Sequence, residues 1–190
     1  MSRENGKRQN SYERYFEGYT RRPVLDTAGN VKTTLVYTLP YWMLDSEETG
    51  WIKRKCVVVL LALAQLGGFL AAALLRTESN RSALVVLPSG LSAACLLFTL
   101  TAAVRYATAK RKMTIYDYRT TRGSLRRWNF GSGVLLFLTA IGTIVSLPRG
   151  GSGGVPAAFG YGLAGAIGFV QCQLEDRCYY RETENENAHY

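Results

Sequence analysis

The chain has 190 residues and carries 23 lysine and arginine residues against 14 acidic residues, for a net charge of +9. That length suits one domain, but most charges gather in residues 1–55, 105–128 and 173–190 and leave long apolar stretches between them. This distribution excludes an ordinary soluble domain, whose surface helices each keep a polar stripe.

The first predicted element is a β-hairpin inside the polar N-terminal region, residues 1–52. Residues 23–37 contain a short apolar run, a turn signal at Gly29-Asn30 and then a β-branched run, which is the pattern of a hairpin. Before it, residues 11–19 space their aromatic side chains as one or two helical turns would. After it, residues 37–51 contain Tyr and Trp, which favour the head-group region, so we expect this segment to lie along a membrane surface.

Four uncharged apolar segments of 18 to 22 residues follow. They are residues 56–75, 83–104, 130–147 and 155–172. A helix of about 20 residues spans the roughly 30 Å hydrocarbon core of a bilayer, and the last two segments lie at the short end of that range. The sequence therefore predicts an all-α membrane protein, with four transmembrane helices in an antiparallel bundle over residues 53–172.

The distribution of basic residues predicts the orientation of this bundle. With four spans, both termini and the loop 105–129 lie on one side of the membrane, together with 20 of the 23 basic residues. The connections on the other side hold only Arg76, Arg81 and Arg149. Positive charge resists translocation, so we expect both termini and the loop in the cytoplasm. The general organisation is that of a small bacterial inner-membrane protein.

The loop 105–129 is the most basic part of the chain, and we expect it to contact anionic lipid head groups. The residues expected to make this contact are Lys110, Arg111, Lys112, Arg119, Arg122, Arg126 and Arg127. Nucleic acid is a less suitable partner, because no recognisable reader module accompanies the charge. Residues 113–118 alternate apolar and polar side chains as a strand does, so we expect them to pack on the hairpin or to lie in the head groups.

Small residues recur every four positions in the first and fourth predicted spans. Such rows let helices approach closely in lipid. The expected packing residues are Ala64, Gly68 and Ala72 in the first span, and Ala158, Gly160, Gly162, Ala164, Ala166 and Gly168 in the fourth.

The spans offer little chemistry, because none contains Asp, Glu, Lys, Arg or His. Gln65 is the most polar residue in mid-span, and we expect it to form an interhelical hydrogen bond with a Ser or Thr of another span. The candidate partners are Ser92, Thr99, Thr101, Thr139 and Thr143. Residues 160–165 match a dinucleotide-binding fingerprint, but that motif requires a strand-to-helix turn rather than an apolar span. We therefore predict no catalytic residue, no cofactor and no metal.

The C-terminal tail, residues 173–190, is acidic, with a net charge of −3. We expect a solvated, disordered end; attraction to the basic loop is the alternative. The four cysteines lie in spans or at the expected cytoplasmic ends, which argues against a structural disulfide.

Three functions are consistent with these features. The first is a non-enzymatic membrane protein that acts through protein or lipid contacts of its cytoplasmic face, with a membrane protein or a second copy as a further candidate partner. The second is a subunit of a transporter or oligomeric channel. The third is a membrane enzyme acting on lipid, which no spacing of acidic residues supports.

Overall fold

The computed structural model of this chain describes residues 16–25, 31–45, 47–150 and 154–185. In chain order, the elements are strands β1 (Tyr19–Leu25), β2 (Val31–Tyr37) and β3 (Tyr41–Leu44), helix α1 (Glu48–Ala73), a 3-10 turn (Glu78–Arg81), helix α2 (Ala83–Thr108), strand β4 (Lys112–Met113), helices α3 (Ile115–Gly150) and α4 (Gly154–Asp176), and strand β5 (Tyr180–Thr183).

The four helices pack against one another, α1 and α3 each contacting both α2 and α4. Each helix is long and apolar enough to cross a membrane, and the candidate span of α3 lies within Ile115–Leu147. The start of α1, the end of α2, the start of α3 and the end of α4 meet at one end of the bundle, because side chains from all four hydrogen-bond there. The helices therefore alternate in direction, and their composition indicates an integral membrane protein.

The bundle has two apolar cores, one towards each end. The first, beside the sheet described below, includes Trp51, Tyr106 and Leu125. The second, towards the connection between α1 and α2, includes Phe69 and Leu136. The opposite faces of the helices expose large apolar side chains over their whole length, as the lipid-facing sides of membrane helices do.

The N-terminal hairpin is present, which confirms that prediction. Strands β1 and β2 pair antiparallel, with Tyr19 opposite Tyr37 and Leu25 opposite Val31. The first strand thus begins four residues before residue 23, and Tyr19 lies in a strand rather than in a helical turn. The predicted turn at Gly29-Asn30 and most of the predicted helical turn at 11–19 lie outside the described residues.

The prediction of a basic loop over residues 105–129 is wrong, because most of this segment is helical. Helix α2 continues to Thr108, and α3 begins at Ile115. The Thr114 hydroxyl accepts a hydrogen bond from the Asp117 backbone N–H at 3.2 Å and lies 2.9 Å from the Asp117 carboxylate. This is a helix N-cap, and it stops the strand at residue 113. The strand expected over residues 113–118 is therefore limited to Lys112–Met113.

The described part of the acidic tail, residues 173–185, contains regular structure, against the expectation of a solvated end. Helix α4 continues to Asp176, and β5 pairs antiparallel with β3, whose other edge pairs with β4. The buried Asn185 amide then donates to the carbonyl oxygens of Tyr37 and Leu39 at 2.7 and 3.1 Å. The pairing of backbone groups between distant segments offsets the polarity of the tail.

Candidate functional site

The β3–β4–β5 sheet, the hairpin and the helix ends beside them form one face of the molecule, here called the sheet end. It collects most of the basic residues of the described chain. The other end, formed by the 3-10 turn and by the end of α3 and start of α4, has few charges. The sheet end is therefore where a charged ligand would meet the protein.

A cleft of about 840 Å³, here called the basic cleft, opens at the sheet end between the hairpin, the end of α2 and the start of α3. Three cationic side chains line it, those of Arg105, Lys110 and Lys112. All three residues are exposed, and none forms an ion pair with a carboxylate in the described part of the chain. Hydroxyl groups complete the lining, including those of Tyr19, Tyr41, Thr108 and Tyr116.

One carboxylate, that of Asp117, also lines the basic cleft. It lies 2.9 Å from the Thr114 hydroxyl in the N-cap of α3. Because one carboxylate faces three cations, the cleft keeps a net positive charge, which suits an anion with several oxygen acceptors.

The basic residues expected to contact lipid are divided by the structure. Lys110 and Lys112 line the basic cleft, and Arg111 lies half-buried between them. Arg119 is paired with Glu17 at 3.0 Å, and Arg126 with Asp176 at 3.3 Å. Arg127 donates to the Gly123 carbonyl of its own helix. Arg105 also lines the basic cleft, although the sequence did not indicate it as a lipid-contacting residue.

Arg122 makes contacts inside the protein instead. Its guanidinium donates to the Tyr118 hydroxyl and, at 3.1 Å, to the Glu175 carbonyl oxygen. It also lies over the Tyr180 ring, 5.1 Å from the ring centroid. Trp42 stacks on Tyr118 with ring centroids 4.7 Å apart. Arg122 therefore joins α3 to α4 and to the sheet.

A buried ion pair connects the bundle to the sheet. Arg54 on α1 donates to the Glu175 carboxylate at 3.1 Å, to the Leu174 carbonyl at 2.6 Å and to the Tyr106 hydroxyl at 3.0 Å. Tyr106 in turn lies 3.3 Å from the Tyr180 hydroxyl. The Glu175 side chain is 0% exposed and that of Arg54 is 21% exposed. This group, Arg54, Tyr106, Glu175 and Tyr180, is here called the junction.

Burial affects ionisation at the sheet end. Desolvation raises the pKa of Tyr180 well above its usual range, and the neighbouring Tyr106 and Glu175 add to this. Desolvation likewise raises the pKa of Tyr37 and that of the Cys178 thiol. The two phenols and the thiol are therefore protonated at neutral pH, and act as hydrogen-bonding groups rather than as anions.

The interior of the bundle contains several buried polar side chains. Gln65 is fully buried and its amide nitrogen donates to the Ser132 hydroxyl at 3.0 Å. The expected interhelical hydrogen bond is present, but the partner is none of the five predicted Ser and Thr residues. Ser132 lies near the start of the predicted third span, and its side chain also donates to the Asn129 carbonyl at 3.1 Å.

Small residues of α1 and α4 meet in the middle of the bundle. A Cβ atom on Gly68 would lie 3.4 Å from the Ala164 Cβ, and one on Gly160 would lie 2.9 Å from the Ala72 Cβ. A Cβ on Gly168 would lie 2.6 Å from the Gln65 amide nitrogen. These residues allow the close approach of the two backbones.

The other predicted packing residues are less close to a neighbour. Ala64 is exposed, and a Cβ on Gly162 would meet no atom within 4 Å. Their role in helix packing therefore stays a prediction. Ala158 is buried, and Ala166 is half-buried.

Sequence reasoning missed the junction because Glu175 was assigned to a solvated tail and Arg54 to the approach of the first span. Asn129 and Gln171 are both fully buried. They were missed because they lie at the predicted ends of the third and fourth spans. One usable signal was present. Thr114 and Asp117 form the Thr-x-x-Asp pattern of a helix start. This pattern predicts that the third helix begins near residue 115 rather than at residue 130.

Comparison of this chain with protein-family models, with curated proteins and with solved structures found no match in any of the three.

Proposed function

We propose that this chain is a small integral membrane protein of a bacterial inner membrane that acts without catalysis, by binding an anionic lipid head group in the basic cleft. Its sheet end and both termini face the cytoplasm in this proposal. The observation that carries it is the convergence of Arg105, Lys110 and Lys112, three cations without an ion-pair partner in the described chain, on one cleft.

The position of the cleft favours a lipid as the source of the anion. Arg105 lies in the last turn of α2, a helix long and apolar enough to cross a membrane, and Lys110 lies two residues after its end. In this proposal the phosphate of a lipid head group lies at the level of the cleft, and the acyl chains of that lipid lie beside the exposed apolar side chains of α2. Each basic residue close to an anionic leaflet contributes on the order of 1 kcal/mol.

The lipid proposal is tested by titrating the detergent-purified protein with phosphatidylglycerol and with phosphatidylcholine, and counting bound lipids by native mass spectrometry. The test variant replaces Arg105, Lys110 and Lys112 with Gln. The matched control replaces Lys53, Arg177 and Arg181, three exposed basic residues that do not line the cleft.

We expect the wild type to prefer phosphatidylglycerol, and the cleft variant to lose at least about tenfold in affinity for it while the control variant loses much less. Equal losses in the two triple variants would show non-specific attraction. Equal binding of the two lipids by the wild type would also contradict the proposal.

The orientation is tested by cysteine labelling. In a chain whose native cysteines are replaced, Glu78→Cys places a thiol at an exposed position of the 3-10 turn, and Glu182→Cys places one at an exposed position of β5. An impermeant maleimide should label the first variant in intact cells and the second only after lysis. The reverse result would place the sheet end outside.

A transport subunit is the second candidate function, and one observation favours it. Fully buried polar side chains, those of Gln65, Gln171 and Glu175, line the contacts between helices that are long enough to span a membrane, and intramembrane polar groups mark transport pathways in other proteins. A solute flux into reconstituted vesicles that Gln65→Leu abolishes would place this function above lipid binding.

A further inference from the structure

Three buried amide side chains in the bundle interior have hydrogen-bonding atoms without partners. Gln65 on α1, Asn129 on α3 and Gln171 on α4 are each 0% exposed. Within the described chain, the unpartnered atoms are the amide oxygen of each of the three, together with the Asn129 amide nitrogen. Four unpartnered polar atoms in one region lower the free energy of unfolding in any protein interior, and they lower it more where lipid surrounds the bundle.

The three amides belong to one region, as the contacts around Gly168 show. A Cβ on Gly168 would lie 2.6 Å from the Gln65 side-chain nitrogen and 3.0 Å from the backbone carbonyl oxygen of Asn129. Gln171 follows Gly168 by about one helical turn on α4, and its amide nitrogen donates to the Val58 carbonyl of α1 at 3.1 Å. The three residues thus lie in the region where α1, α3 and α4 meet.

The same row of α4 continues to Glu175, four residues after Gln171. One oxygen of this carboxylate accepts from Arg54, and the other has no hydrogen-bond partner in the described chain. Positions four apart lie on one face of a helix. The unpartnered atoms therefore run from Gln65 to Glu175 over about two helical turns, or roughly 10 Å.

The kinds of atoms left unpartnered indicate what could bind them. Four are acceptors, the three amide oxygens and one Glu175 oxygen, and one is a donor, the Asn129 amide nitrogen. A metal cation would satisfy the oxygens and leave the donor facing a positive charge. Water donates two hydrogen bonds and accepts two, and buried waters typically make about three bonds to such groups.

We propose that Gln65, Asn129 and Gln171 enclose an internal water-binding site that extends to Glu175, a hydrated polar path inside the membrane bundle. The path begins at the junction and ends at Gln65, on the near side of the second apolar core, which includes the buried Phe69 and Leu136. It is independent of lipid binding in the basic cleft, so either proposal can fail alone.

A double-mutant cycle tests the site, because Gln65 and Gln171 share no direct hydrogen bond. The free energy of unfolding is measured in detergent for Gln65→Leu, Gln171→Leu and the double variant. A water that bridges the two amides should make the losses non-additive by at least about fivefold in the unfolding constant, or about 1 kcal/mol. The control pair is Gln65→Leu with Thr139→Val, which should be additive, since the Thr139 hydroxyl donates to the Leu135 carbonyl of its own helix.

Radiolytic hydroxyl-radical labelling of the wild-type protein provides a second readout that requires no variant to fold. We expect label on the buried Val58, whose carbonyl accepts from Gln171, and on the buried Leu125, which lies one helical turn before Asn129. We expect none on the buried Val85 and Leu136. The absence of label on Val58 and Leu125, together with additive losses for Gln65 and Gln171, would overturn the proposal. Stability that depends on Na⁺ when NaCl replaces choline chloride would also overturn it, in favour of a cation.

Discussion

The guanidinium of Arg54 lies 3.1 Å from the carboxylate of Glu175, a residue 121 positions further along the chain. The pair joins the start of α1 to the end of α4, and the hydrogen bond from Arg54 to Tyr106 adds the end of α2. One side chain thus fixes the relative positions of three helix ends beside the sheet.

Removing Arg54 should destabilise the protein strongly. Arg54→Gln leaves the fully buried Glu175 carboxylate without its cation, and breaking a buried pair in this way costs about 3–5 kcal/mol. Glu175→Gln should cost less, because Arg54 is 21% exposed and keeps its bonds to Leu174 and Tyr106. The measurement is chemical unfolding in detergent.

The control for this prediction is the exposed pair Arg126–Asp176, whose side chains are 60% and 47% exposed. Arg126→Gln should change the free energy of unfolding by no more than about 1 kcal/mol. If Arg54→Gln proved as mild as Arg126→Gln, the junction would not hold the helix ends together.

Glycines of α4 should differ sharply in their tolerance of alanine. Gly168→Ala places a Cβ 2.6 Å from the Gln65 amide, and we expect a loss of about 1–3 kcal/mol from overpacking. Gly162→Ala meets no atom within 4 Å and should be neutral or slightly stabilising, since alanine favours a helix. Unfolding curves of the two variants provide the comparison, and equal losses would contradict the close contact of α1 with α4.

The hydroxyl of Tyr37 should hold the start of α3. It accepts a hydrogen bond from the Ile115 backbone N–H at 3.0 Å and donates to the Pro40 carbonyl at 3.2 Å. In Tyr37→Phe we expect faster hydrogen exchange at the Ile115 amide and a loss of about 1 kcal/mol. Tyr179→Phe is the control, because Tyr179 is 84% exposed.

The related double variant, in which Ile115 and Tyr116 become Ser, should also disturb folding or lipid binding. Ile115 is half-buried at the contact with the hairpin, and Tyr116 lines the basic cleft. Normal unfolding and normal phosphatidylglycerol binding in this variant would show that only the charge of the segment matters.

Stability should decrease as the pH rises above about 10, because the pKa of Tyr180 is raised in the folded protein. The unfolded chain loses its phenol proton near the ordinary pKa of about 10, whereas the folded chain keeps it. Since the folded state then binds more protons, each pH unit lowers the free energy of unfolding by up to about 1.4 kcal/mol for this group.

Tyr180→Phe should reduce this decrease, although part of it should persist because the pKa of Tyr37 is raised as well. The measurement is the unfolding free energy between about pH 8 and 11 in both proteins. An identical pH dependence in wild type and Tyr180→Phe would contradict the assignment.

Local sequence patterns were sufficient for the hairpin and for the four apolar helices. Turn residues between β-branched runs specify a hairpin, since its two strands are close in sequence. Uncharged runs of about 20 residues specify membrane helices without reference to the rest of the fold, because the bilayer itself sets the length. The rows through Gly68, Gly160 and Gly168 were visible for the same reason, as they repeat along a single helix.

Helix ends and long-range pairs depended on the tertiary structure. Strand β5 forms only because β3, about 140 residues earlier, offers a free edge for its backbone groups. Glu175 belongs to the helix rather than to a solvated tail because Arg54 supplies the opposite charge there. The basic cleft likewise depends on the tertiary structure, because Arg105 and Lys112 line it from the two sides of the turn after α2. No periodic sequence pattern predicts that turn. The sequence by itself thus determined which segments form helices long and apolar enough to span a membrane. The packing of distant segments decided which charged side chains are buried, which are paired and which are available to a ligand.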